Sequence, residues 1–402
     1  MYSVLYLRAR LLIFMIFAIA AFSCNHLKSD INKSDNMEIN WVELSTKGIE
    51  NDLSKGVSAA FAAIIDDKLI VTGGANFPGK LGFEGGTKAF YDEIFIYDDA
   101  VQEWSIIGNF PSPIAYGVSV NVADGALWMG GNNADSSFTS TYYVSIDSDK
   151  NIKITPFIDL PVTMDNFSGS SIGDMVFVAG GVVDGKPSNS IYCINIKTDS
   201  VWTRLPNFLG TPRVQPVLSS IEMDGDIYLY LMGGFFGGDE NLKPSMATDI
   251  LKYDVKTKEW SVAGEQIDPE SNKPFSLGGA TAMSVENRYI LCMGGVNYDI
   301  FLDAITSQYN IGFDSQLSPE QKRDKNLEFS KFYMTQPVEY YKFNHECRVF
   351  DTLTGKWTII DNTTDAARAG ATLVYKDNLF YVVQGELKPG VRSAKTFKGE
   401  IR

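Results

Sequence analysis

The chain of 402 residues has few of the side chains that most often hold metals or form disulfides, with two histidines and four cysteines. His26 and His345 lie far apart in the sequence, whereas metal catalysis on a comparable scaffold draws on a richer ligand set. Cys193, Cys292 and Cys347 fall in or beside apolar runs at irregular spacing, which predicts buried thiols rather than a disulfide framework. We therefore expect neither a metal nor a cofactor.

Positive charge is also scarce, and the formal net charge at pH 7 is −14. This balance argues against nucleic acid or an anionic membrane surface as a partner. An anionic substrate would have to be held by local arginines. A phosphate-binding loop is excluded as well. Gly74 to Lys80 fits the pattern G-x-x-x-x-G-K, but Leu81 stands where such a loop needs serine or threonine.

Short apolar runs that end at or beside glycine recur along the chain. The six runs are LIVTGG (69–74), LWMGG (127–131), VFVAGG (176–181), LYLMGG (229–234), ILCMGG (290–295) and FYVVQG (380–385). Each is typical of a buried strand that runs into a tight turn, where only glycine tolerates a positive φ and a close backbone approach. A period of roughly fifty residues is the one associated with kelch propeller blades.

Most repeats continue with another strand, a turn containing Asp or Asn, and a tryptophan. These segments are IYDDAVQEW, CINIKTDSVW, KYDVKTKEW and VFDTLTGKW, which end at Trp104, Trp202, Trp260 and Trp357. The Asp or Asn is expected to accept backbone hydrogen bonds in the turn, and the tryptophan to pack between adjacent blades. The second and sixth repeats lack this tryptophan. The strand Ile39 to Ser45, which contains Trp41, is predicted to complete the sixth repeat and remove a free edge.

These features predict an all-β fold, a six-bladed kelch-type β-propeller with a helical insertion in blade 5 and the N-terminal strand closing the last blade. The one strong helical signal is SPEQKRDKNLEFSKFYMTQ, with Ser318 as N-cap and Pro319 in the first helical position. It interrupts the fifth repeat between Gly295 and Trp357. We therefore interpret it as an insertion on a loop and not as a second domain.

The N-terminus is typical of an export signal, because a basic stretch precedes the apolar run LLIFMIFAIAA. AFSC at residues 21–24 resembles a lipobox. Residues 1–23 are thus predicted to be a lipoprotein signal peptide, Cys24 the acylated first residue, residues 24–37 a polar tether and residues 38–402 the propeller. An ordinary signal peptide with an incidental cysteine is the alternative. We expect an exported protein, in the periplasm or outer membrane of a Gram-negative bacterium, that meets the membrane only through its lipid.

Propeller geometry predicts where a site would lie. In an up-and-down blade, the loops after the glycine pairs share one face with the residues that open each repeat. On that face the candidate substrate contacts are Asn76, Tyr116, Arg213, Asn297 and Arg368. Arginines together with one carboxylate suit a carboxylate-bearing substrate and one proton-transfer step. The helical insertion is expected to cover this face as a lid. The alternative is that these are ordinary solvated loop residues.

Three segments carry a resemblance to a known family. GELKPGVRS (385–393) resembles the signature of the bacterial N-acetylneuraminate epimerases, which are kelch-type sialic acid mutarotases. GGVNYDIF (294–301) and AYGVSV (115–120) resemble two further blocks of that family. The blocks stand here in a rotated order, as in a cyclically permuted branch of mutarotases. The resemblance covers essentially the whole chain after the tether.

The resemblance implies interconversion of the α and β anomers of free N-acetylneuraminate by ring opening and closure. It implies that Glu386 is the proton acceptor and that Arg392 engages the sugar carboxylate or the developing charge. Lys388 is structural or helps to protonate the ring oxygen. By the same resemblance Asn76, Lys88 and Asn297 contact hydroxyl or N-acetyl groups.

Two alternatives to this function stay open. Pro113-Ile114 stands where the family has an arginine, so the chain is also compatible with mutarotation of another acidic sugar. Many kelch proteins only bind, so a non-catalytic propeller for carbohydrate or protein is the second alternative. The presence of Glu386 within the full motif favours the enzyme.

Overall fold

The computed structural model describes residues 36–149 and 151–402, and it consists mainly of short antiparallel strands. Over these residues the strands form six four-stranded sheets. Sheet 1 comprises Phe61–Ile65, Lys68–Thr72, Glu93–Asp98 and Glu103–Asn109; sheet 2 comprises Val118–Val122, Gly125–Met129, Thr141–Ile146 and Ile152–Pro156; sheet 3 comprises Ser168–Ile172, Met175–Ala179, Ile191–Asn195 and Thr203–Leu205. The predicted signal peptide, Cys24 and nearly all of the tether lie outside the described residues.

Sheets 4 and 5 follow the same order, and sheet 6 takes its fourth strand from the N-terminal part of the chain. Sheet 4 comprises Val217–Met223, Asp226–Met232, Asp249–Asp254 and Glu259–Glu265; sheet 5 comprises Ala280–Val285, Tyr289–Gly294, Glu346–Asp351 and Lys356–Asn362; sheet 6 comprises Thr372–Lys376, Leu379–Val383, Thr396–Ile401 and Ile39–Glu43. Every described pairing within these sheets is antiparallel.

Shorter elements lie beyond the ends of the second strands. They are Ala75–Asn76 with Ala89–Phe90, Met164–Asp165 with Val182–Val183 and Lys186–Pro187, Phe235–Phe236 with Ser245–Met246, and Glu386–Lys388 with Val391–Arg392. Short 3-10 helices span Asn51–Lys55, Gly82–Glu84 and Thr364–Ala366. These elements build the end of the molecule on which the candidate site lies.

The hydrophobic core is divided among the interfaces between neighbouring sheets, each of which holds its own apolar cluster. Between sheets 1 and 2, for example, Phe61 and Ile70 pack with Trp128 and Val144. The first strand of each sheet contacts the first strand of the next, and that of sheet 6 contacts that of sheet 1. The layers of core therefore follow one another in a closed cycle.

The glycine pairs connect neighbouring sheets as their sequence predicts. Gly73 has a φ of +72°, and a Cβ added there would lie 2.3 Å from the carbonyl oxygen of Ile114. The N–H of Gly74 donates to that same carbonyl at 2.8 Å. The equivalent bonds are Gly131 to Met164, Gly181 to Arg213, Gly295 to Arg368 and Gly385 to Val57. A side chain at the crowded position would displace the backbone of the next repeat.

The predicted turns and tryptophans are confirmed. Asp254 Oδ1 accepts hydrogen bonds from the N–H groups of Lys256 and Thr257 at 2.8 and 3.0 Å. The indole N–H groups reach across to the preceding sheet in the chain, as when Trp357 Nε1 donates to the carbonyl of Glu265 at 2.9 Å. Burying an aromatic ring while its N–H is satisfied is the arrangement that suits tryptophan in a core.

The predicted closure by the N-terminal strand is also confirmed. Ile39–Glu43 pairs antiparallel with Thr396–Ile401, which places Trp41 opposite Gly399. The Trp41 ring meets Phe380 edge to face at 5.3 Å, and its Nε1 donates to Asp361 Oδ2 at 2.6 Å. Trp41 therefore links sheet 6 to sheet 5 from the N-terminal strand.

The helical insertion, residues 298–341, separates the second and third strands of sheet 5. It contains α1 (Tyr298–Phe313), α2 (Pro319–Met334) and the short α3 (Val338–Tyr341). Ser318 caps α2 as predicted, because its Oγ accepts from Gln321 N while the Gln321 side chain accepts from Ser318 N. The sequence prediction missed α1. No helix in the described part of the chain is long and apolar enough to cross a membrane.

The closure by Trp41 predicts a specific stability effect. Trp41→Ala removes the edge-to-face contact and the bond to Asp361, so it should lower the free energy of unfolding by about 2 kcal/mol, less than for a fully buried tryptophan. Val42→Ala is the matched control, since Val42 on the opposite face of the same strand is 48% exposed. Urea unfolding measures both variants. Equal midpoints for the two would contradict a role of Trp41 in closure.

Candidate active site

Six residues, each just before the first strand of a sheet, form a closed ring of backbone hydrogen bonds. The N–H of each donates to the C=O of its counterpart one sheet earlier, at 2.7 to 3.1 Å, and sheet 1 donates to sheet 6. All six have a positive φ between 51° and 69°. The ring residues are Ala59, Tyr116, Asn166, Gln215, Gly279 and Gly370. Their positions are fixed, because both backbone polar groups of every member are used.

A cavity of about 630 Å³ lies against this ring. Tyr116, Asn166 and Gln215 form part of its wall. The amides are ordered by one another, since Gln215 Nε2 donates to Asn166 Oδ1 at 2.8 Å and Asn166 Nδ2 donates to Asp165 Oδ1 at 2.7 Å. The ring thus supplies both the backbone frame and polar side chains for the cavity.

Glu386 and Arg392 form an ion pair in the cavity wall. They face each other across the short hairpin Glu386–Lys388 and Val391–Arg392, with Arg392 Nη1 2.9 Å from Glu386 Oε1. The same oxygen accepts from the N–H of Gly390 at 2.9 Å. The Arg392 side chain is 4% exposed and that of Glu386 is 24% exposed. Both side chains line the cavity, and the acid is the more exposed of the two.

The hydrogen bonding of Arg392 is incomplete. Its Nε donates to Ser58 Oγ at 3.3 Å. Its Nη1 lies close to Glu386 but makes no hydrogen bond of acceptable geometry with any described residue, although it is buried. The Arg392 guanidinium lines the cavity, and a guanidinium is suited to a ligand that brings its own carboxylate.

Glu386 is the one acidic residue among the six that directly follow the last glycine of each repeat. It follows the last glycine of its repeat and bridges to Ala369 of sheet 6. The counterparts after the other glycine pairs are Ala75, Asn132, Val182, Phe235 and Val296. Because these positions lie around one ring, the six sheets place a single carboxylate at the mouth of the cavity.

A second polar pair lies beside the first. Lys88 Nζ donates to the Tyr116 hydroxyl oxygen at 3.1 Å and lies 4.9 Å from the centroid of its ring. Phe77 connects the two pairs, because the Lys88 ammonium and the Arg392 guanidinium lie 5.8 and 5.6 Å from its ring centroid. Two cations therefore flank one aromatic wall of the cavity.

The helical insertion covers the cavity with largely aromatic side chains. Phe301 of α1 and Phe329 and Tyr333 of α2 line it. Burial raises the pKa of Tyr333 far above its ordinary value, with smaller contributions from Tyr341, Tyr340 and Glu386. Tyr333 is therefore a neutral hydrogen-bonding group at any physiological pH. In the described residues no group of three or more His, Cys, Asp or Glu side chains is arranged to hold a metal ion.

Comparison with known proteins now identifies the family. The N-acetylneuraminate epimerase family model matches residues 26–154 and 157–402. The chain belongs to this family. It is similar to the N-acetylneuraminate epimerase of Haemophilus influenzae (strain PittEE), with 28% identity over 244 residues, 60% of this chain and 59% of the relative. It is also similar to N-acetylneuraminate epimerase 1 of Escherichia coli O6:H1, with 25% identity over 266 residues, 62% of this chain and 66% of the relative.

The chain spans less than two thirds of the length of these curated epimerases in either match. Among solved structures it is similar to one described as "Structure of YjhT". The two agree with a TM-score of 0.48 and 25% identity, over 59% of this chain and 63% of the other.

Of the nine residues predicted for catalysis or substrate binding in this epimerase-family chain, four line the cavity: Lys88, Tyr116, Glu386 and Arg392. Asn76 and Asn297 do not. Asn76 is buried, and its side-chain amide bonds to the carbonyls of Asp52 and Gly56 and to the Tyr91 hydroxyl. Asn297 caps α1 by accepting from Ile300 N at 3.1 Å. Neither residue lines the cavity, since the Asn76 amide is bonded within the fold and the Asn297 oxygen caps α1.

Arg213 and Arg368 likewise make their described contacts within the fold. Arg213 Nη2 lies 2.7 Å from both carboxylate oxygens of Asp249, and burial lowers the pKa of Arg213 against the opposing charge of Asp249. Arg368 Nη1 donates to the carbonyls of Gln384 and Lys395 at 2.9 and 2.7 Å. Burial lowers the pKa of Arg368 to about 10. Neither guanidinium lines the cavity.

The sequence prediction missed Asn166 and Gln215, and one signal points to the ring. In four repeats the ring residue stands 15 positions before the second glycine of the pair. The pairs are Ala59 with Gly74, Tyr116 with Gly131, Asn166 with Gly181, and Gly370 with Gly385. Aligning the repeats on their glycines therefore finds most of the ring, although not its side-chain directions.

Lys388 connects the hairpin of residues 386–392 to the helical insertion. Its Nζ donates to the carbonyls of Met334 and Gln336 at 3.2 and 2.6 Å, at the C-terminal end of α2. The last carbonyls of a helix lack partners within the helix, and a lysine there also suits the helix dipole. Lys388 does not line the cavity, and these contacts favour a structural role over that of a proton donor.

This contact predicts that Lys388 holds the helical insertion in place. Lys388→Met should increase the rate of limited proteolysis within residues 298–341 several-fold, because the contact with the hairpin is lost. Lys322→Met is the control, since Lys322 Nζ donates to the Gly312 carbonyl at 2.7 Å within the insertion itself. Equal protection of the wild type and Lys388→Met would show that Lys388 does not restrain the helices.

Proposed function

We propose that this protein is a mutarotase that interconverts the α and β anomers of free N-acetylneuraminate. The observation that carries the proposal is the Glu386–Arg392 pair in the wall of a covered cavity. Membership of the epimerase family supports the same reaction. The relatives are named for that activity, and the residues at the cavity provide the chemistry that the reaction needs.

We further propose that the fold is a six-bladed kelch-type β-propeller. The six four-stranded antiparallel sheets, the cyclic contacts of their first strands and the core cluster at each interface support this fold. The chain is proposed to be a cyclically permuted member of the family. The rotated order of the family blocks supports this, as do relatives that match over only part of either chain. An alignment that requires the same order of residues in both chains can match only one of the two segments that a circular permutation exchanges.

The chemistry at the base follows from the geometry. The anomeric carbon of N-acetylneuraminate carries both the carboxylate and the anomeric hydroxyl. Arg392 binds the carboxylate through its guanidinium, which lines the cavity. The hydroxyl on the same carbon is then brought to Glu386, only 2.9 Å from Arg392 Nη1. Glu386 removes the hydroxyl proton, the ring opens, and closure on the other face of the carbonyl gives the other anomer.

Proton NMR of freshly released α-N-acetylneuraminate tests the proposal. Glu386→Gln keeps the shape and removes the base, so the enzymatic excess over spontaneous mutarotation should fall by about 10²–10⁴-fold. Glu400→Gln is a matched control, because Glu400 also pairs with an arginine at 2.9 Å but lies at the surface. Full activity of Glu386→Gln would exclude Glu386 as the base. An inactive wild type that still binds the sugar would favour a binding propeller instead.

Arg392→Lys tests the carboxylate contact. Lysine keeps the charge but loses the planar fork that matches a carboxylate. The KM for N-acetylneuraminate should rise, with little effect on any neutral sugar that turns over. Arg402→Lys is the control, since Arg402 forms the exposed ion pair with Glu400. A KM that rises equally for neutral and acidic sugars would contradict the assignment and would point to a general disturbance of the cavity.

We also propose that the protein is exported and anchored through an acylated Cys24, in the periplasm or at the outer membrane. The lipobox-like AFSC at residues 21–24 supports this proposal, and Cys24 lies outside the described residues. The native protein should partition with membranes, and Cys24→Ala should release or mislocalise it. Cys193→Ala, at a buried thiol, should leave partitioning unchanged. Mass spectrometry that finds an unacylated mature N-terminus would overturn the anchor.

A further inference from the structure

Ring opening requires a proton donor as well as a base. When the bond between the anomeric carbon and the ring oxygen breaks, the ring oxygen must receive a proton, or an alkoxide forms at considerable cost. Among the described residues, the ionisable side chains that line the cavity are Lys88, Tyr116, Tyr333, Glu386 and Arg392. Glu386 is occupied as the base, and an arginine does not give up its proton in proteins. The donor is therefore to be sought among the remaining three.

Tyr333 is disfavoured by its surroundings. It lies in the helical insertion, where burial and the neighbouring tyrosines keep its pKa far above the ordinary value. The charge of Glu386 adds to this effect on the pKa of Tyr333. A group that is so reluctant to lose its proton suits hydrogen bonding better than proton transfer.

Tyr116 and Lys88 are arranged for proton donation. Lys88 has three N–H donors and no acceptor, so in its 3.1 Å contact the Tyr116 oxygen accepts. The Tyr116 hydroxyl therefore keeps its own proton for another partner. If that proton leaves, the ammonium of Lys88 stands against the negative oxygen that remains. Charge placed in advance where charge develops is the most effective form of electrostatic stabilisation.

The backbone holds Tyr116 with unusual firmness. Its N–H donates to Ala59 O at 3.0 Å and its C=O accepts from Asn166 N at 2.8 Å, both within the closed ring. Its φ of 61° lies in the left-handed region, which is uncommon for an aromatic residue. Such conformations persist where a side chain is needed in one direction. Tyr116 is also the one ring residue with an ionisable side chain, as the six identities show.

We propose, on the basis of the mutarotase function above, that Tyr116 is the catalytic acid that protonates the ring oxygen and that Lys88 is its positioning residue. Glu386 takes the proton of the anomeric hydroxyl, whose oxygen forms the carbonyl as the bond to the ring oxygen breaks. The ring oxygen takes the proton of Tyr116 and becomes a hydroxyl. Closure runs in reverse, as that hydroxyl returns its proton to the Tyr116 oxygen and Glu386 returns its proton to the carbonyl oxygen.

The placement of the two pairs fits this division of roles. Lys88 and Arg392 both lie within 6 Å of the Phe77 ring centroid. The acid pair and the base pair are thus neighbours around one aromatic ring. The two oxygens that exchange protons in the reaction are bonded to the same anomeric carbon, so both pairs must reach one end of the sugar.

The test combines a conservative variant with chemical rescue. Tyr116→Phe should lower the enzymatic excess of mutarotation by about 10²-fold or more with little change in KM. Lys88→Met should act in the same direction, and Lys88→Arg should restore part of the rate. Tyr375→Phe is the control. The Tyr375 hydroxyl lies 3.4 Å from Ser284 Oγ, and Tyr375 does not line the cavity. Activities are compared only among variants whose thermal unfolding midpoints equal that of the wild type.

Tyr116→Gly separates acid catalysis from space filling. Glycine already occupies the equivalent ring positions at Gly279 and Gly370, so this variant should fold and leave a phenol-sized space. Added phenol should restore the rate, whereas toluene should not. Equal rescue by toluene, or a Tyr116→Phe variant as active as the wild type, would overturn the assignment alone. An inactive wild type would overturn the mutarotase function together with it.

Discussion

The closed ring of backbone hydrogen bonds is the constraint on which the rest of the structure depends. Each ring residue must adopt a positive φ so that its N–H and C=O point along the ring to its two neighbours. Each sheet then leaves the ring with its first strand innermost. The glycine pairs add a second set of bonds, such as Gly74 to Ile114, between the end of one sheet and the start of the next. No ring residue keeps an unpaired backbone group within the ring.

The ring also explains why the site lies where it does. A left-handed conformation costs a residue other than glycine roughly 1–2 kcal/mol, and Gly279 and Gly370 avoid that cost. Ala59, Tyr116, Asn166 and Gln215 do not avoid it, and three of these four, all but Ala59, line the cavity. Glycine at those three positions would make the ring easier to form and leave the cavity without these polar side chains. Three strained positions therefore supply side chains to the cavity, and such strain is common at functional sites.

The sequence was sufficient for features that repeat and insufficient for directions of side chains. The glycine pairs, the Asp and Asn turns and the closing strand with Trp41 each follow from a local pattern with one physical solution. The sequence predicts the correct end of the molecule for Arg213 and Arg368, but it does not predict that their side chains point away from the cavity. Each stands two residues before a ring residue, and its carbonyl accepts from the glycine of the preceding sheet. Its side chain then turns into the protein toward Asp249 or toward backbone carbonyls, a choice that only the packed neighbours decide.

The hairpin of residues 386–392 joins three tasks that are usually separate. Glu386 and Arg392 face the cavity from its two strands, and Lys388 between them reaches the end of α2. Gly390, with a φ of +85°, closes the hairpin, and a Cβ there would lie 2.5 Å from Leu81 and 2.9 Å from Met334. The helical insertion therefore approaches the backbone that sets the distance between Glu386 and Arg392. The covering helices and the two side chains of the ion pair thus share one short hairpin.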